Sequence, residues 1–206
     1  MRKTRIAVLV SGGGTNLQAL IDAEARGELP HGELCLVVSN KQDAYALKRA
    51  GAAGIETAVC LREKGETRAD FEAKIQGALA AHDIGMIVLA GFMAILSKDF
   101  VSRWPDRIIN IHPSLIPSFC GEGFYGLRVH EAALACGVKV TGATVHYVNE
   151  IPDGGRIIAQ KAVEVRDGDT PETLQRRVME QAEWILLPRA AEIVSERIAE
   201  ELKIEN

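Results

Sequence analysis

Short apolar runs alternate with longer amphipathic stretches through the first half of the chain. The apolar runs are predicted strands, at residues 6–10, 34–38, 57–60, 86–90 and 108–111. The stretches between the first four runs are predicted helices, at residues 16–26, 44–50 and 67–81. Continuous apolar strands separated by helices indicate a parallel sheet that is covered on both faces. We therefore predict an α/β fold built on a mostly parallel, twisted sheet.

The second half of the chain has a different pattern. Residues 140–148 and 157–165 are predicted antiparallel strands at the sheet edge, joined as a hairpin or a pair by residues 149–155. Pro171 begins a last long helix that runs to Leu202 and bends at Pro188. The chain shows no internal repeat, low-complexity segment or linker. We therefore predict one domain over residues 1–206, with an N-terminal half of residues 1–108 and a C-terminal half of residues 109–206.

The bulk composition excludes several classes of protein. The chain has 206 residues, 47% of them hydrophobic and 25% charged, which is typical of a soluble globular protein. Its net charge is -4 and it has no dense run of Lys or Arg, so strong binding to nucleic acid or to an anionic membrane is not expected. The run at residues 6–10 is too short for a membrane span or an export signal.

The four cysteines are scattered without the CxxC spacing of a zinc site; they are Cys35, Cys60, Cys120 and Cys136. Without an export signal, we expect them to be free thiols in a reducing compartment, and the protein to be cytoplasmic.

A glycine run, Gly12 to Gly14, separates the first predicted strand from the first predicted helix. Such a loop brings backbone N–H groups close to an anion, and the helix dipole favours negative charge there. Thr15 and Asn16 add a hydroxyl and an amide, so the loop suits a phosphate monoester. It lacks the third glycine of the dinucleotide fingerprint and the Gly-Lys-Ser/Thr of a Walker loop. The alternative is a plain strand-to-helix turn in which Thr15 caps the helix.

Asn110 and His112 are two residues apart, so a strand places both side chains on one face. Pro113 favours an extended His112 and ends the strand there. In open α/β sheets, ligands collect beyond the carboxyl ends of the strands, where this pair would lie. A carboxamide beside an imidazole suits addition to a carbonyl, because the amide stabilises an oxyanion while the imidazole holds or moves a proton. The alternative is a buried structural histidine with a satisfied neighbour.

Asp153 lies in the turn-forming sequence PDGG between the two late strands. It is either a turn residue or a partner of His112, in which case its charge would raise the pKa of the imidazole. His146, on the preceding predicted strand, is assigned a structural role near the site. His31, His82 and His130 are expected to be surface or helix residues. No His, Asp or Glu cluster has the spacing of a metal site, so no metal is expected.

Several stretches together resemble the phosphoribosylglycinamide formyltransferase family, in order from about Ile6 to Ile193. They are VLVSGGGTNLQALIDA, VVSNKQDAYALKRA, IVLAGFMAILS, IINIHPSLIPSF, TGATVHYVNEIPDGGRIIAQ and RVMEQAEWILLP. The resemblance implies a Rossmann-like formyltransferase fold, with a nucleotide-binding-like N-terminal half and a C-terminal half that completes the folate site. It implies transfer of a formyl group from 10-formyltetrahydrofolate to the glycyl amine of phosphoribosylglycinamide in purine biosynthesis, by direct attack of the amine. The partners would be these small molecules, in a monomer or homodimer.

The resemblance also assigns roles to individual residues. The family's catalytic residues fall on Asn110, His112 and Asp153, and its ribose-binding acid falls on Glu183. Its phosphate loop falls on Gly13, Gly14, Thr15 and Asn16. Its folate-binding residues fall on Arg68, Phe92, Met93, Ala94, Ile95, Leu96 and Asn110. Two features depart from the family pattern: Ala94 stands where many members have arginine, and the loop at residues 120–126 is longer than in many relatives.

Three alternatives to this function remain at the level of the sequence. A formyltetrahydrofolate deformylase would use water in place of the amine, but such enzymes normally carry an extra N-terminal regulatory domain. A methionyl-tRNA formyltransferase would carry an extra C-terminal domain and a basic surface. A non-catalytic phosphate-binding module would need only the glycine loop and would leave Asn110 and His112 without a role.

Overall fold

The computed structural model describes residues 3–204, the last of them for its backbone only. Seven strands form one sheet in the order β3-β2-β1-β4-β5-β6-β7. They are β1 (Thr4–Val10), β2 (Gly32–Ser39), β3 (Glu56–Val59), β4 (Met86–Leu89), β5 (Ile108–His112), β6 (Val140–Tyr147) and β7 (Ile157–Glu164). The first five strands are parallel, and β6 and β7 pair antiparallel at the edge. The predicted α/β class, with late antiparallel strands, is confirmed.

The helices follow the strands along the chain. They are α1 (Thr15–Ala25), α2 (Tyr45–Ala52), α3 (Arg68–Ala81), α4 (Lys98–Val101), α5 (Leu127–Cys136), α6 (Pro171–Val178) and α7 (Trp184–Ile204). A π-helical segment, Met179–Glu183, joins the last two. Within the described chain, none of these helices is long and apolar enough to cross a bilayer.

The central strands of the sheet are buried on both faces, as their apolar sequences predict, whereas the outer strands β3 and β7 are largely exposed. Along β1, Ile6 and Val8 pack into one cluster with α1 and α7, whereas Ala7 and Leu9 pack into the other with α3. All four side chains have no exposed surface. Successive side chains of a strand point to opposite faces, so β1 contributes to both halves of the core.

The start of the first helix differs from the sequence prediction. Thr15 does not cap α1: the N-cap is Gly14, which makes no side-chain capping bond, and the Thr15 hydroxyl lies 3.8 Å from Sδ of Met179. Gly14 has φ +72°, so the chain enters the helix through a left-handed residue rather than through an extended Thr15. By contrast, the predicted helix start at Thr67 is confirmed, because its hydroxyl accepts a hydrogen bond from the Asp70 N–H.

The last helix is not one continuous α-helix bent at Pro188. Pro171 begins α6, where Thr170 and Thr173 form a capping box. The π-helical segment then interrupts the regular hydrogen bonding, and Pro188 lies inside α7. A π segment adds one residue to a turn, which shifts the side chains that follow it around the helix axis.

The strand order places a crevice at one end of the sheet. Because β1 lies between β2 and β4, the direction of the strand order reverses beside β1. Ligands of open α/β sheets bind at such a switch point, beyond the carboxyl ends of the strands. The loops after β1, β4 and β5 all leave the sheet at the carboxyl ends of the strands, beside this crevice.

Candidate active site

The glycine loop after β1 is held against α2. The N–H of Ala46 donates to the carbonyl of Gly12 at 3.0 Å. A Cβ atom added to Gly14 would lie 2.6 Å from Cβ of Ala46, and the residue has φ +72°. Glycine is therefore required at position 14 both for its backbone conformation and for the close approach of α2.

The π-helical segment completes this loop from the other end of the chain. Nδ2 of Asn16 donates to Oε2 of Glu183 at 2.6 Å. Glu183 is buried, and this burial raises the pKa of its carboxyl group to about 7, although the hydrogen bond from Asn16 lowers it. The structure thus brings the residues predicted for the phosphate and for the ribose into direct contact.

Asn110, His112 and Asp153 also meet. Asn110 and His112 lie on β5, and Asp153 follows β6 in a turn where it has φ +55°. Nδ1 of His112 is 3.4 Å from Oδ2 of Asp153, and Nδ2 of Asn110 is 3.5 Å from Oδ1. The buried His112 and the nearly buried Asp153 therefore form an ion-pair geometry at the carboxyl end of β5.

The long loop after β5 contacts both members of this pair. Nε2 of His112 lies 2.9 Å from the carbonyl oxygen of Phe119, so its N–H donates to that carbonyl. The N–H of Gly121 donates to Oδ2 of Asp153 at 2.8 Å. Phe119 has φ +49°, which is unusual for a residue with a side chain. Phe119 and Gly121, at the start of the long loop, therefore contact the His112–Asp153 pair directly.

The two ionisable side chains have shifted pKa values. Burial lowers the pKa of His112, and it outweighs the opposite effects of the Asp153 charge and the Phe119 carbonyl. The sequence prediction of a raised pKa for His112 is therefore wrong, because it considered the charge of Asp153 without the burial. For Asp153, burial acts to raise the pKa. The contacts with His146, His112 and the Gly121 N–H outweigh it, so the pKa is lowered.

His146 is closer to the site than the sequence indicated. It lies opposite Asn110 in the β5–β6 pair, and its Nε2 is 3.2 Å from Nδ2 of Asn110 and 3.5 Å from Oδ1 of Asp153. Its Nδ1 lies 2.8 Å from the carbonyl oxygen of Tyr147, so Nδ1 donates to that carbonyl. The Nε2 edge of His146 therefore faces both the Asn110 amide and the Asp153 carboxylate. The cross-strand register that pairs the two residues could have revealed this contact.

A cleft of about 740 Å³ opens beside these residues. It is lined by the segment after β4, by the ends of β5, by the loop at residues 121–126 and by Pro152 and Asp153. Five of the predicted folate residues line it, namely Phe92, Met93, Ala94, Ile95 and Asn110. Leu96 is buried beside it and lines a smaller adjoining cavity of about 120 Å³ with Asn110 and His146. The segment is tied to the glycine loop, because the Met93 N–H donates to Oγ of Ser11 at 2.8 Å.

Arg68 is not brought together with the other predicted folate residues. It begins α3 and lines a separate cavity of about 400 Å³ with Glu72, Ser97 and Arg103, among others. Ala94, in the large cleft, carries no charge, so the structure puts no side-chain cation at that position.

The three remaining histidines lie away from this arrangement or form part of the core beside it. Nδ1 of His31 is 2.5 Å from Oε1 of Glu192, and His82 contacts the carbonyl of Ala78. His130 lies on α5, as a helix residue, but it is fully buried rather than at the surface. Burial lowers its pKa to about 4. Among residues 3–203, no group of three or more His, Cys, Asp or Glu side chains could hold a metal ion.

Comparison with known proteins identifies the family. A profile of the formyl transferase family matches residues 4–190. The trifunctional purine biosynthetic protein adenosine-3 of Gallus gallus is 45% identical over 94% of this chain, which spans 18% of the chicken protein. The chloroplastic phosphoribosylglycinamide formyltransferase of Arabidopsis thaliana is 36% identical over 96% of this chain and 68% of its own length.

Solved structures share the fold. Glycinamide ribonucleotide transformylase 1 from Symbiobacterium toebii superposes with a TM-score of 0.87 at 40% identity, over 94% of this chain and 88% of its own. A formyltetrahydrofolate deformylase from Pseudomonas putida gives a TM-score of 0.83 at 29% identity, over 95% of this chain and 66% of its own. The chain belongs to the formyl transferase family and, within it, to the phosphoribosylglycinamide formyltransferases.

Proposed function

We propose that this protein transfers the formyl group of 10-formyltetrahydrofolate to the glycyl amine of 5-phosphoribosylglycinamide, a reaction of purine biosynthesis. The observation that carries the proposal is the convergence of Asn110, His112 and Asp153 at one end of a large cleft. The glycine loop and Glu183 lie at the neighbouring switch point. A phosphorylated amine and a formyl folate would meet between these two groups of residues.

The amine substrate is proposed to lie with its phosphate at the glycine loop and its amine at the end of β5. Its phosphate would bind the backbone of Gly13, Gly14, Thr15 and Asn16 at the N-terminus of α1, where the helix dipole is favourable. Its ribose hydroxyls would bind Glu183. The glycyl amine would then reach Asn110 and His112. For the folate, the proposed pocket is the cleft lined by Phe92, Met93, Ala94 and Ile95, with Leu96 behind it and Asn110 at its end.

A second folate contact is proposed at Arg68. Its cavity is separate from the cleft and opens near α3 and α4, so Arg68 would bind a distant, anionic part of the folate rather than its ring.

The proposed reaction begins with a neutral His112, because burial lowers its pKa. The amine nitrogen attacks the formyl carbon, a C–N bond forms, and the formyl oxygen takes the negative charge. In the reacting tautomer, Nδ1 of His112 carries the proton and faces Asp153, and Nε2, released from the Phe119 carbonyl, accepts a proton from the attacking nitrogen. Asp153 stabilises the resulting cation. The bond from the formyl carbon to N10 of the folate then breaks, and N10 takes the proton. The folate leaves deformylated and His112 returns to its neutral form.

Asn110 and protonated His112 are the proposed donors to the oxyanion. The 3.5 Å contact of Asn110 with Asp153 is at the limit of a hydrogen bond, so one amide N–H is available to a developing charge. The loss of such a donor typically costs about 2.7–4 kcal/mol of transition-state stabilisation. Because Phe119 occupies Nε2 of His112, that contact must open before this nitrogen can approach the substrate.

Amine dependence tests the proposal. The protein is incubated with 10-formyltetrahydrofolate, with and without phosphoribosylglycinamide, and the loss of formyl folate is followed. Loss only in the presence of the amine supports formyl transfer. Loss without the amine would favour the second candidate, a deformylase, which the likeness to the Pseudomonas putida enzyme brings into consideration. No loss in either case would favour a phosphate-binding module without catalysis.

The setting of the reaction is part of the proposal. The four cysteines are free thiols in the structure, which supports a reducing compartment, and we place the protein in the cytoplasm. We propose small-molecule substrates, no nucleic acid or membrane partner and no metal, in a monomer or homodimer. The halves at residues 1–108 and 109–206 would supply the phosphate loop and the catalytic residues, respectively.

A further inference from the structure

Two consecutive carbonyl groups of the glycine loop are held by α2. The Ala46 N–H donates to the carbonyl of Gly12 at 3.0 Å, and Nε of Arg49 donates to the carbonyl of Gly13 at 2.9 Å. The first contact comes from the backbone of α2 and the second from a side chain. Arg49 is thus the side chain that fixes the peptide between Gly13 and Gly14.

The direction of these carbonyls sets the direction of the N–H groups. In a trans peptide the C=O and the following N–H point to opposite sides. Because α2 holds the carbonyls of Gly12 and Gly13, the N–H groups of Gly13 and Gly14 are turned away from α2. A row of N–H groups that points to one side forms an anion-binding concavity. Arg49 therefore acts on the part of the loop that is proposed to bind the phosphate.

Arg49 is itself held in place. Its Nη1 donates to Oε1 of Gln18 on α1 at 3.0 Å, and its guanidinium lies 5.1 Å from the centre of the Tyr45 ring. Nη2 makes no hydrogen bond to any residue between 3 and 203. Arg49 and Thr15 both line a cavity of about 340 Å³ beside the loop. The glycine loop contains no cationic residue, so Arg49 places a positive charge next to it.

We propose that Arg49 is a positioning residue for the phosphate of the amine substrate, which it serves by orienting the Gly13–Gly14 peptide and by adding positive charge beside the loop. The inference rests on the proposed function, because it requires that the glycine loop binds a phosphate monoester. It assigns a role in substrate affinity to a residue that takes no part in the chemistry at His112.

Replacement of Arg49 by methionine tests the role. The variant Arg49→Met is expected to raise the KM for phosphoribosylglycinamide about 10- to 100-fold, the usual effect of losing a charged hydrogen bond, with kcat changed less than about 3-fold. With the unphosphorylated ribosylglycinamide, the kcat/KM of the variant should equal that of the parent. Arg49→Lys should recover part of the affinity, because it retains the charge without the planar fork.

Lys48→Met is the matched control. Lys48 is an exposed neighbour on α2 that also lies over Tyr45, and its replacement removes one positive charge without a contact to the loop. Its KM for the phosphorylated amine should equal that of the parent. Thermal unfolding of each variant shows whether the fold is intact, and a merely structural defect would affect both substrates alike.

The inference is overturned if Arg49→Met keeps the parent KM, or if it weakens the phosphorylated and unphosphorylated substrates equally. An Arg49→Lys variant as weak as Arg49→Met would overturn the contribution of the charge. If the parent protein transfers no formyl group to the amine, the proposed function fails instead. A parent that is active beside an unaffected Arg49→Met variant refutes only the role of Arg49.

Discussion

Nδ2 of Asn16 lies 2.6 Å from Oε2 of Glu183. This contact joins the first turn of α1 to the end of the π-helical segment, across most of the length of the chain. A second contact beside it, between Thr15 and Met179, comes from the other end of the same segment. The π-helical turn therefore aims two of its side chains at the loop proposed to bind the phosphate.

The pKa of Glu183 predicts a pH dependence of stability. Burial raises it to about 7, from an ordinary value of 4.5, so between these pH values the folded state keeps a proton that the unfolded state releases. Stability from this group is complete below about pH 4.5 and falls as the pH rises to about 7, by on the order of 3 kcal/mol. Urea unfolding at pH 5 and pH 8 measures the fall.

Glu183→Gln removes the titration and should lessen the fall in the free energy of unfolding between these two pH values. The exposed Glu180, in the same segment, supplies the control Glu180→Gln, which should keep the pH dependence of the parent. An unchanged pH dependence in Glu183→Gln would show that this carboxyl group does not keep its proton in the folded state.

His112→Ala should lower kcat by about 10²- to 10⁴-fold, the usual contribution of a general acid–base group. The KM for each substrate should change much less, because the phosphate and folate contacts lie elsewhere. Single-turnover rates of formyl transfer measure the effect. A variant with nearly normal kcat would remove His112 from the mechanism.

Asp153→Asn should keep the turn but remove the charge opposite His112. The charge of Asp153 raises the pKa of His112 against the effect of burial, so its loss should lower that pKa further. We expect kcat to fall by about 10- to 100-fold, because the cation formed on His112 loses its partner. An NMR titration of the His112 ring in both proteins measures the pKa. A pKa that rises in the variant would contradict the pairing.

Gly14→Ala should destabilise the protein by about 1–3 kcal/mol, through its left-handed backbone and the contact of its methyl group with Ala46. The comparison is Gly13→Ala, where an added Cβ meets nothing within 4 Å and φ lies outside the left-handed range. Chemical unfolding of the two variants separates them. Equal free energies of unfolding would show that neither the left-handed backbone of Gly14 nor its close packing against α2 requires glycine at this position.

Much of the fold follows from the pattern of the sequence. All seven strands were predicted from the sequence. The central strands β1, β2, β4 and β5 follow from their continuous apolar runs, because strands buried on both faces are continuously apolar, whereas the outer strands β3 and β7 are largely exposed. The helix α5 was missed, because it follows a long irregular loop and its boundaries are two glycines rather than a polar cap. The π-helical segment was also missed, since a single added residue leaves the apolar pattern of a long helix nearly unchanged.

The candidate site was only partly predictable for a related reason. Asn110 and His112 share a strand, so their spacing alone placed them together. The contacts of Asn16 with Glu183 and of Arg49 with Gly13 join distant parts of the chain, and no local pattern reveals them. The direction of the His112 pKa shift depends on burial in the folded protein, which outweighs the one charge that the sequence could suggest.

In the proposed reaction, the formyl group of the folate is transferred to the amine. The direct test uses 10-formyltetrahydrofolate labelled with ¹³C in the formyl group, together with phosphoribosylglycinamide, and follows the label by mass spectrometry. Formyl transfer to the amine should give one labelled formyl group on the amine product for each tetrahydrofolate released, and almost none of either when the amine is left out. Labelled formate released without the amine, and no label on the amine when it is present, would contradict it.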